Sequence, residues 1–195
     1  MRWRYKIIFI KGGIHLEERN IVLISHGHFE KDFLERIARE VFQEYLLPVS
    51  IEESHIDISE FYEPMRRQYD GNLLLKEINS FPGAWSVKKI GLFRVDLFIP
   101  ILTFIFGQAA LNGSTGIASL YRLRNEQYGM KKDEEILFDR FRKVVIHELG
   151  HTFGLIHCHI PTCVMRSSTY VEDIDQKGHK LCIKCRREVF GSGAG

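Results

Sequence analysis

The stretch from residue 147 to residue 158 reads HELGHTFGLIHC, and it decides how the rest of the chain is interpreted. His147 and His151 are four residues apart, so on a helix they stand one turn apart on the same face. Two imidazoles in that arrangement can bind one zinc ion. Glu148 is one residue round from His147, where a carboxylate can take a proton from a zinc-acidified water and pass it to a leaving amine.

The pattern continues to a third histidine, His157, after a glycine at position 154. Gly154 has a mechanical role, because the helix must end and the chain must turn sharply, and glycine tolerates the positive φ that such a turn needs. The turn brings His157 round as a third ligand and leaves the fourth position of a tetrahedral zinc open. Two alternatives remain: a buried helix whose histidines only satisfy hydrogen bonds, and a degenerate site that binds zinc without chemistry. The open position and the retained Glu148 argue against the degenerate site.

Residues 133–154 are predicted to form the helix that carries this motif. Its apolar side chains recur at spacings of three and four residues and make one face, consisting of Phe138, Phe141, Val145, Leu149 and Phe153. At about 100° per residue, His147 lies about 200° from Leu149. We expect the helix to pack on the core with one face and to present its imidazoles on the other.

The upstream part of the chain alternates between predicted strands and helices. We predict strands at 20–25, 49–51, 89–95, 104–106 and 116–120, and helices at 30–46 and 71–80. This alternation predicts an α/β domain. The turn-rich residues 112–115 lie between the last two strands and indicate an antiparallel edge.

Composition limits the class of protein. The 195 residues are 45% hydrophobic and 27% charged, which is typical of one globular domain. The net charge of +2 does not indicate nucleic acid or an anionic membrane as a partner. No stretch approaches the roughly 20 apolar residues that span a bilayer, and the apolar run at residues 7–10 is too short for a signal peptide. We therefore expect a cytoplasmic location.

All four cysteines follow His157, and their spacing predicts a second metal site. Cys158 and Cys163 form C-x4-C, an 18-residue spacer follows, and Cys182 and Cys185 form C-x2-C. Paired knuckles of this kind are typical of a closed, structural zinc site. Two disulfides, or a redox pair of Cys182 and Cys185, are the alternatives. The cytoplasmic location disfavours disulfides, and a redox pair leaves the other two cysteines unexplained.

Adjacent residues, His157 and Cys158, are predicted to bind different zinc ions. The Cα–Cα distance between neighbouring residues, added to the lengths of the two side chains and their bonds to the metal, places the two ions about 8–14 Å apart. We infer that the structural zinc fixes the turn that positions His157.

The segment from His147 to His157, followed by Met165 between Val164 and Arg166, resembles the metzincin signature of an extended zinc motif plus a Met-turn. With the cysteines included, the pattern is similar to that of the archaemetzincins. Segments 95–100, 104–107 and 119–123 are also similar, so the resemblance covers roughly residues 20–190. It implies a compact single-domain α/β zincin with a twisted mixed sheet above the cleft.

The resemblance implies a role for each matching position. His147, His151 and His157 bind the catalytic zinc, and Glu148 is the general base. Met165 forms the hydrophobic floor beneath the zinc. The structural zinc is bound by Cys158, Cys163, Cys182 and Cys185. The cofactors are therefore two zinc ions per chain.

The resemblance also implies an antiparallel edge strand that lines the cleft and pairs with an extended substrate. The matching residues lie around 104–110, and the candidate substrate contacts are Phe104, Phe106, Gly107 and Ala109.

Two departures from the family pattern are present. The 16-residue gap between Met165 and Cys182 is about one residue shorter than the family's, which a loop can absorb. Ser167 occupies the position where some metzincins place a tyrosine ligand, so we assign no tyrosine to the zinc and interpret Tyr170 as a surface or packing residue.

These observations predict a zinc-dependent peptidase with residues 20–157 as the catalytic part and residues 158–190 as the Met-turn and four-cysteine segment. Residues 1–19 are interpreted as an N-terminal extension and residues 191–195 as a flexible tail. We expect a monomer that acts on a peptide or protein substrate, with neither nucleic acid nor a membrane as partner. The alternatives are a non-catalytic, zinc-containing peptide-binding module and a zinc hydrolase of another amide or ester.

Overall fold

The computed structural model describes residues 20–81 and 88–191. The predicted extension at residues 1–19 and residues 192–195 of the predicted tail lie outside this part. The strands are β1 (Ile21–His26), β2 (Val49–Ser54), β3 (Tyr62–Glu63), β4 (Gln68–Asp70), β5 (Lys88–Phe93), β6 (Leu97–Ile99), β7 (Leu102–Ile105), β8 (Gly107–Ala109) and β9 (Thr115–Ser119). The helices are α1 (Lys31–Tyr45), α2 (Gly71–Ser80), α3 (Glu134–Thr152), α4 (Val171–Gln176) and α5 (Ile183–Phe190).

The main sheet has five strands in the order β2-β1-β5-β9-β8. Its first four strands are parallel to one another, and β8 pairs antiparallel with β9 at the edge. Helices cover both faces, so β1 is buried along almost its whole length, which explains its continuous apolar sequence. The structure thereby confirms the α/β class and the antiparallel edge.

A second, four-stranded sheet in the order β3-β4-β6-β7 corrects one sequence prediction. The predicted strand at residues 104–106 is wrong as a single element: Phe104 and Ile105 end β7 in the small sheet, and the edge strand begins at Gly107. Phe106 lies at the corner, where its carbonyl still accepts a hydrogen bond from the Ser119 N–H at 2.8 Å. The apolar run carried the strong strand signal, whereas the edge strand itself is short and weakly apolar.

Helix α3 crosses the main sheet and carries the zinc motif. Asp133 caps it by accepting hydrogen bonds from the N–H groups of residues 135 and 136, both at 3.0 Å. The predicted apolar face is buried against α1 and the sheet. The opposite face is less open than predicted, since His147 and Glu148 are only 8% and 7% exposed. Strand β8 and the segment after Met165 cover that face and enclose the site.

Helix α1 contacts α3 through one buried hydrogen bond, in which the Tyr45 hydroxyl donates to the Ile146 carbonyl at 2.6 Å. That carbonyl belongs to the residue before the first histidine of the motif, so α1 packs directly behind the site. No helix within residues 20–81 and 88–191 combines the length and the apolar character that crossing a bilayer requires.

Candidate metal centres and the cleft between them and the edge strand

The structure brings the three histidines of the motif together. One ring nitrogen from each of His147, His151 and His157 lies within 4.8 Å of the others. The Nδ1 atom of His147 is 2.8 Å from the Val164 carbonyl, and that of His151 is 2.7 Å from the Leu155 carbonyl. Because a carbonyl only accepts, each Nδ1 carries the proton and each Nε2 presents a lone pair.

The two Nε2 atoms are 3.1 Å apart, and this distance tests whether the residues fit a metal. Two lone pairs facing each other without a cation between them repel. Two nitrogens bound to a tetrahedral zinc at about 2.0–2.1 Å are separated by about 3.3 Å. The arrangement therefore suits a zinc ion, and a water or substrate oxygen can complete the tetrahedron.

Gly154 turns the chain so that His157 reaches the other two imidazoles. Its φ is +92°, in the region that favours glycine, which confirms the positive φ predicted at this residue. The turn after α3 is held by the Leu155 N–H, which donates to the Gly150 carbonyl at 3.0 Å. His157 is the exposed member of the three, so the cluster lies at the mouth of the cleft.

Burial controls the charges at the cluster. It lowers the pKa of His147 well below the usual histidine range, with the nearby Lys177 amine as the next cause. Burial likewise lowers the pKa values of His151 and His157. All three imidazoles are therefore neutral at pH 7, which is the form that binds a metal.

Glu148 lies against the edge strand. A Cβ atom placed on Gly107 would lie 2.7 Å from the Glu148 Cγ and 2.9 Å from its Oε1. Only glycine therefore lets β8 pass so close to this carboxylate. Burial raises the pKa of Glu148 to about 8, with Lys177 acting in the opposite direction. The positive charge of a zinc ion at the three histidines would lower this pKa and favour the carboxylate form that a general base needs.

Met165 is fully buried beneath the helix. Its side chain lies against Gly150, where any Cβ would collide with the Met165 sulfur. The Met165 carbonyl accepts a hydrogen bond from the Cys158 N–H at 2.9 Å. The Met-turn thus contacts both the floor of α3 and the segment that begins the cysteine cluster.

The four cysteines form a second cluster behind the first. Their sulfur atoms lie within 4.8 Å of one another, and all four are free thiols, so the structure does not contain the disulfides considered as an alternative. The sulfur atoms of Cys158 and Cys182 are 3.8 Å apart, as are those of Cys163 and Cys185. Four thiols around one point fit a tetrahedral four-thiolate zinc site. Because all four share the cluster, the redox alternative of an isolated Cys182–Cys185 pair does not account for it.

The cleft is bordered by the edge strand on one side and by residues 167–170 on the other. The candidate substrate contacts Phe104, Phe106, Gly107 and Ala109 all line it. Ser167 and Tyr170 line it as well, and Tyr170 is 64% exposed. Sequence reasoning missed four further lining residues: Val144, Ile174 and Lys177, which are buried, and Ser168, which is half-buried. No local pattern marks them, because only the fold turns them toward the cleft.

Comparison with known proteins identifies a family that this chain resembles over most of its length. A model of peptidase family M54 matches residues 21–190. An archaemetzincin of Thermococcus kodakarensis is 38% identical over 130 residues, which is 66% of this chain and 70% of that relative. An archaemetzincin of Saccharolobus solfataricus is 33% identical over 177 residues, which is 89% of this chain and 94% of that relative.

Solved structures agree with the described fold. The archaemetzincin of Methanopyrus kandleri matches with a TM-score of 0.78 and 28% identity, covering 90% of this chain and 96% of that one. A zinc-dependent peptidase of Methanocorpusculum labreanum matches with a TM-score of 0.78 and 29% identity, covering 87% of this chain and 99% of that one. Because the family model covers most of the chain and the relatives match over most of their length, the chain belongs to peptidase family M54, the archaemetzincins.

Proposed function

We propose that this chain is a zinc-dependent peptidase whose catalytic zinc is bound by His147, His151 and His157, with Glu148 as general base. One observation carries the proposal: three neutral imidazoles converge on one point, and a buried carboxylate adjoins them in a cleft with an open strand edge. Archaemetzincin relatives and a structural neighbour described as a zinc-dependent peptidase support it.

A zinc ion held by His147, His151 and His157 would acidify a water molecule and polarise the carbonyl that the water attacks. Glu148 takes the proton from the attacking water on its carboxylate and returns it to the nitrogen of the leaving amine. Peptide-bond hydrolysis is then balanced, because the water supplies the hydroxyl of the new acid and the proton of the new amine. Since Glu148 is buried between α3 and β8, its carboxylate is held in one position during the transfer.

The two backbone carbonyls behind the histidines orient the site. Val164 and Leu155 accept the Nδ1 protons of His147 and His151, which fixes both ring tautomers and points Nε2 toward the metal position. Val164 directly precedes Met165, so the Met-turn and the orientation of His147 depend on the same loop. We infer that Met165 fixes the position of this loop beneath α3 by packing under Gly150.

Strand β8 provides a template for an extended substrate. Ala110 N–H and Phe106 carbonyl bond to β9, so the alternation of an antiparallel ladder turns the N–H and carbonyl groups of Gly107 and Ala109 toward the open edge. An extended peptide can add to this edge as a further strand beside Glu148. The substrate is accordingly a peptide or an unfolded segment of a protein.

The four cysteines are proposed to bind a second, structural zinc. Their cluster joins α5 to the Met-turn through the Cys182 N–H, which lies 3.4 Å from the Cys163 sulfur, and the Cys158 N–H, which donates to Met165. We propose a cytoplasmic location, where a reducing environment keeps such thiols available for a metal. We propose that the chain acts as a monomer.

Removal and return of zinc tests the function. The protein is stripped with a chelator until it holds one zinc per chain, as measured by elemental mass spectrometry, and is then incubated with a diverse peptide pool before and after one equivalent of zinc is returned. We expect cleavage only after the return. A protein that holds two zinc ions and cleaves nothing would instead be a peptide-binding module, and cleavage that persists after complete zinc removal would contradict a zinc-dependent reaction.

A further inference from the structure

Lys177 is a buried amine in the wall of the cleft that the proposed reaction does not use. It is 4% exposed, and its Nζ donates one hydrogen bond, to the Arg166 carbonyl at 2.8 Å. Its other polar neighbour is the Nδ1 atom of His147 at 3.4 Å, whose proton is directed to the Val164 carbonyl. That nitrogen therefore accepts no hydrogen bond from the lysine, and the amine retains unused donors.

No carboxylate neutralises this amine at close range. Among residues 20–81 and 88–191, every ion pair within 4.0 Å involves other side chains. Glu148 faces the same cleft, but only at longer range. A buried ammonium with one carbonyl acceptor and no carboxylate at close range is incompletely compensated, so an added anionic acceptor would stabilise it.

Ser168 supplies a second unused donor in the same cleft. Its Oγ is buried and has no hydrogen-bond partner, and both Ser168 and Lys177 line the cleft. The two are linked through the chain, since Lys177 donates to the carbonyl of residue 166, two residues before Ser168. An amine with donors to spare and a hydroxyl without a partner suit a ligand that only accepts.

Apart from His147 and Glu148, several buried side chains of the cleft are apolar. Phe106, Val144 and Ile174 are each less than 9% exposed, and all three contribute to the cleft surface. A pocket with apolar walls and two donors accommodates a group with an aliphatic stem and a charged, oxygen-rich tip.

We propose that Lys177 and Ser168 bind a carboxylate of the peptide substrate, so that the enzyme favours an acidic side chain or a free C-terminus over the matching amide. The inference deepens the proposed function and rests on the cleft being the peptide site. Charge-assisted hydrogen bonds from an ammonium and a hydroxyl hold a carboxylate more strongly than a neutral amide. The two carboxylate sources present the same chemistry, and they are separated by experiment.

Binding is measured with the zinc-loaded Glu148→Gln protein, which is expected to hold peptides without cutting them. The immobilised protein is equilibrated with a pool of peptide pairs that differ only in Glu against Gln at one position, or in a C-terminal acid against a C-terminal amide. Mass spectrometry of the retained fraction gives the preference within each pair. We expect the acid member to be retained about tenfold more strongly in one of the two sets, and that set identifies the carboxylate source.

Two further variants in the same background assign the preference to these side chains. Lys177→Met is expected to abolish the preference, and Ser168→Ala to reduce it about threefold or more. The Ser168 hydroxyl has no partner in the protein, so Ser168→Ala should keep the zinc content and thermal midpoint of its parent. It therefore carries the test alone if Lys177→Met loses zinc or unfolds.

Three results would overturn the inference. Equal retention of acid and amide members by the parent protein, or no retention at all, shows that the cleft has no carboxylate subsite. A preference that survives in both variants places the subsite elsewhere. If Lys177→Met weakens the retention of the acid and the amide member equally, the Lys177 amine only compensates charges of the cleft itself and does not bind a substrate carboxylate. Because binding is measured without turnover, the two proposals can fail separately. If the wild-type protein cleaves no peptide but still shows the binding preference, only the peptidase function is refuted.

Discussion

The contact between Gly107 and Glu148 allows a sharp test of how the edge strand positions the general base. A Cβ atom at residue 107 would stand 2.7 Å from the Glu148 Cγ and 2.7 Å from the Ile117 carbonyl oxygen. Carbon atoms in proteins pack at about 3.5–4.0 Å, so Gly107→Ala requires a displacement of about 0.8 Å or more. The Ile117 carbonyl is held in the centre of the ladder between β8 and β5, so both residue 107 of β8 and the Glu148 side chain must shift.

The size of the effect follows from this displacement. A misplacement of about 1 Å in a reacting group lowers turnover about 100-fold. Overpacking a filled site costs about 1–3 kcal/mol of unfolding free energy, which lowers the melting temperature of a chain of this size by roughly 2–12 °C. Gly107→Ala is therefore expected to remain folded and zinc-loaded while kcat falls about 100-fold.

Gly116→Ala is the matched control. It lies on the neighbouring strand opposite Ala109, and a Cβ there would be 3.3 Å from the Ala109 Cβ and 3.5 Å from the Glu148 Cβ. These distances need a shift of only a few tenths of an ångström, so its kcat should stay within about threefold of wild type. Both variants are compared by peptide turnover, zinc content and thermal unfolding. Wild-type turnover in Gly107→Ala would refute the reasoning, because Glu148 would then not depend on its place against β8.

Three other changes test separate parts of the account. Cys182→Ser should lose the structural zinc and also weaken zinc binding at the histidines; unchanged affinity there, measured by chelator competition, would rule out coupling between the centres. Ala109→Pro should raise KM severalfold at full zinc occupancy by removing an N–H from the open edge, and an unaffected KM would count against strand addition. Tyr45→Phe should lower the unfolding free energy by about 1 kcal/mol, because the Ile146 carbonyl loses a buried donor; equal stability in denaturant titrations would show that this bond contributes nothing.

The parts of the site that the sequence predicts are those controlled by local geometry. The spacing of His147 and His151 fixes their common helical face, and the need for a sharp turn predicts the positive φ of Gly154, which the structure has. The predicted helix at 133–154 differs from α3 by one residue at its start and two at its end. Periodicity within a single element was sufficient for these predictions.

The parts that sequence reasoning missed depend on partners distant in the chain. Strand β8 has three residues and little apolar character, so only its pairing with β9 identifies it. In the sequence, Lys177 is indistinguishable from a solvated lysine in a polar segment, and only the fold buries it against His147. The second sheet was missed for the same reason, since the two residues of β3 and the three of β4 carry no periodic signal.

The central claim is that Glu148 drives peptide hydrolysis at a zinc held by the three histidines. Wild type and Glu148→Gln are brought to the same zinc content and incubated with one diverse peptide pool, and the products are identified by mass spectrometry. We predict that wild type generates new peptide termini and that Glu148→Gln, which keeps the shape of the side chain but not its basicity, generates at least about 100-fold fewer. Equal cleavage by the two zinc-loaded proteins would contradict the assignment of Glu148 as general base and, with it, the proposed mechanism.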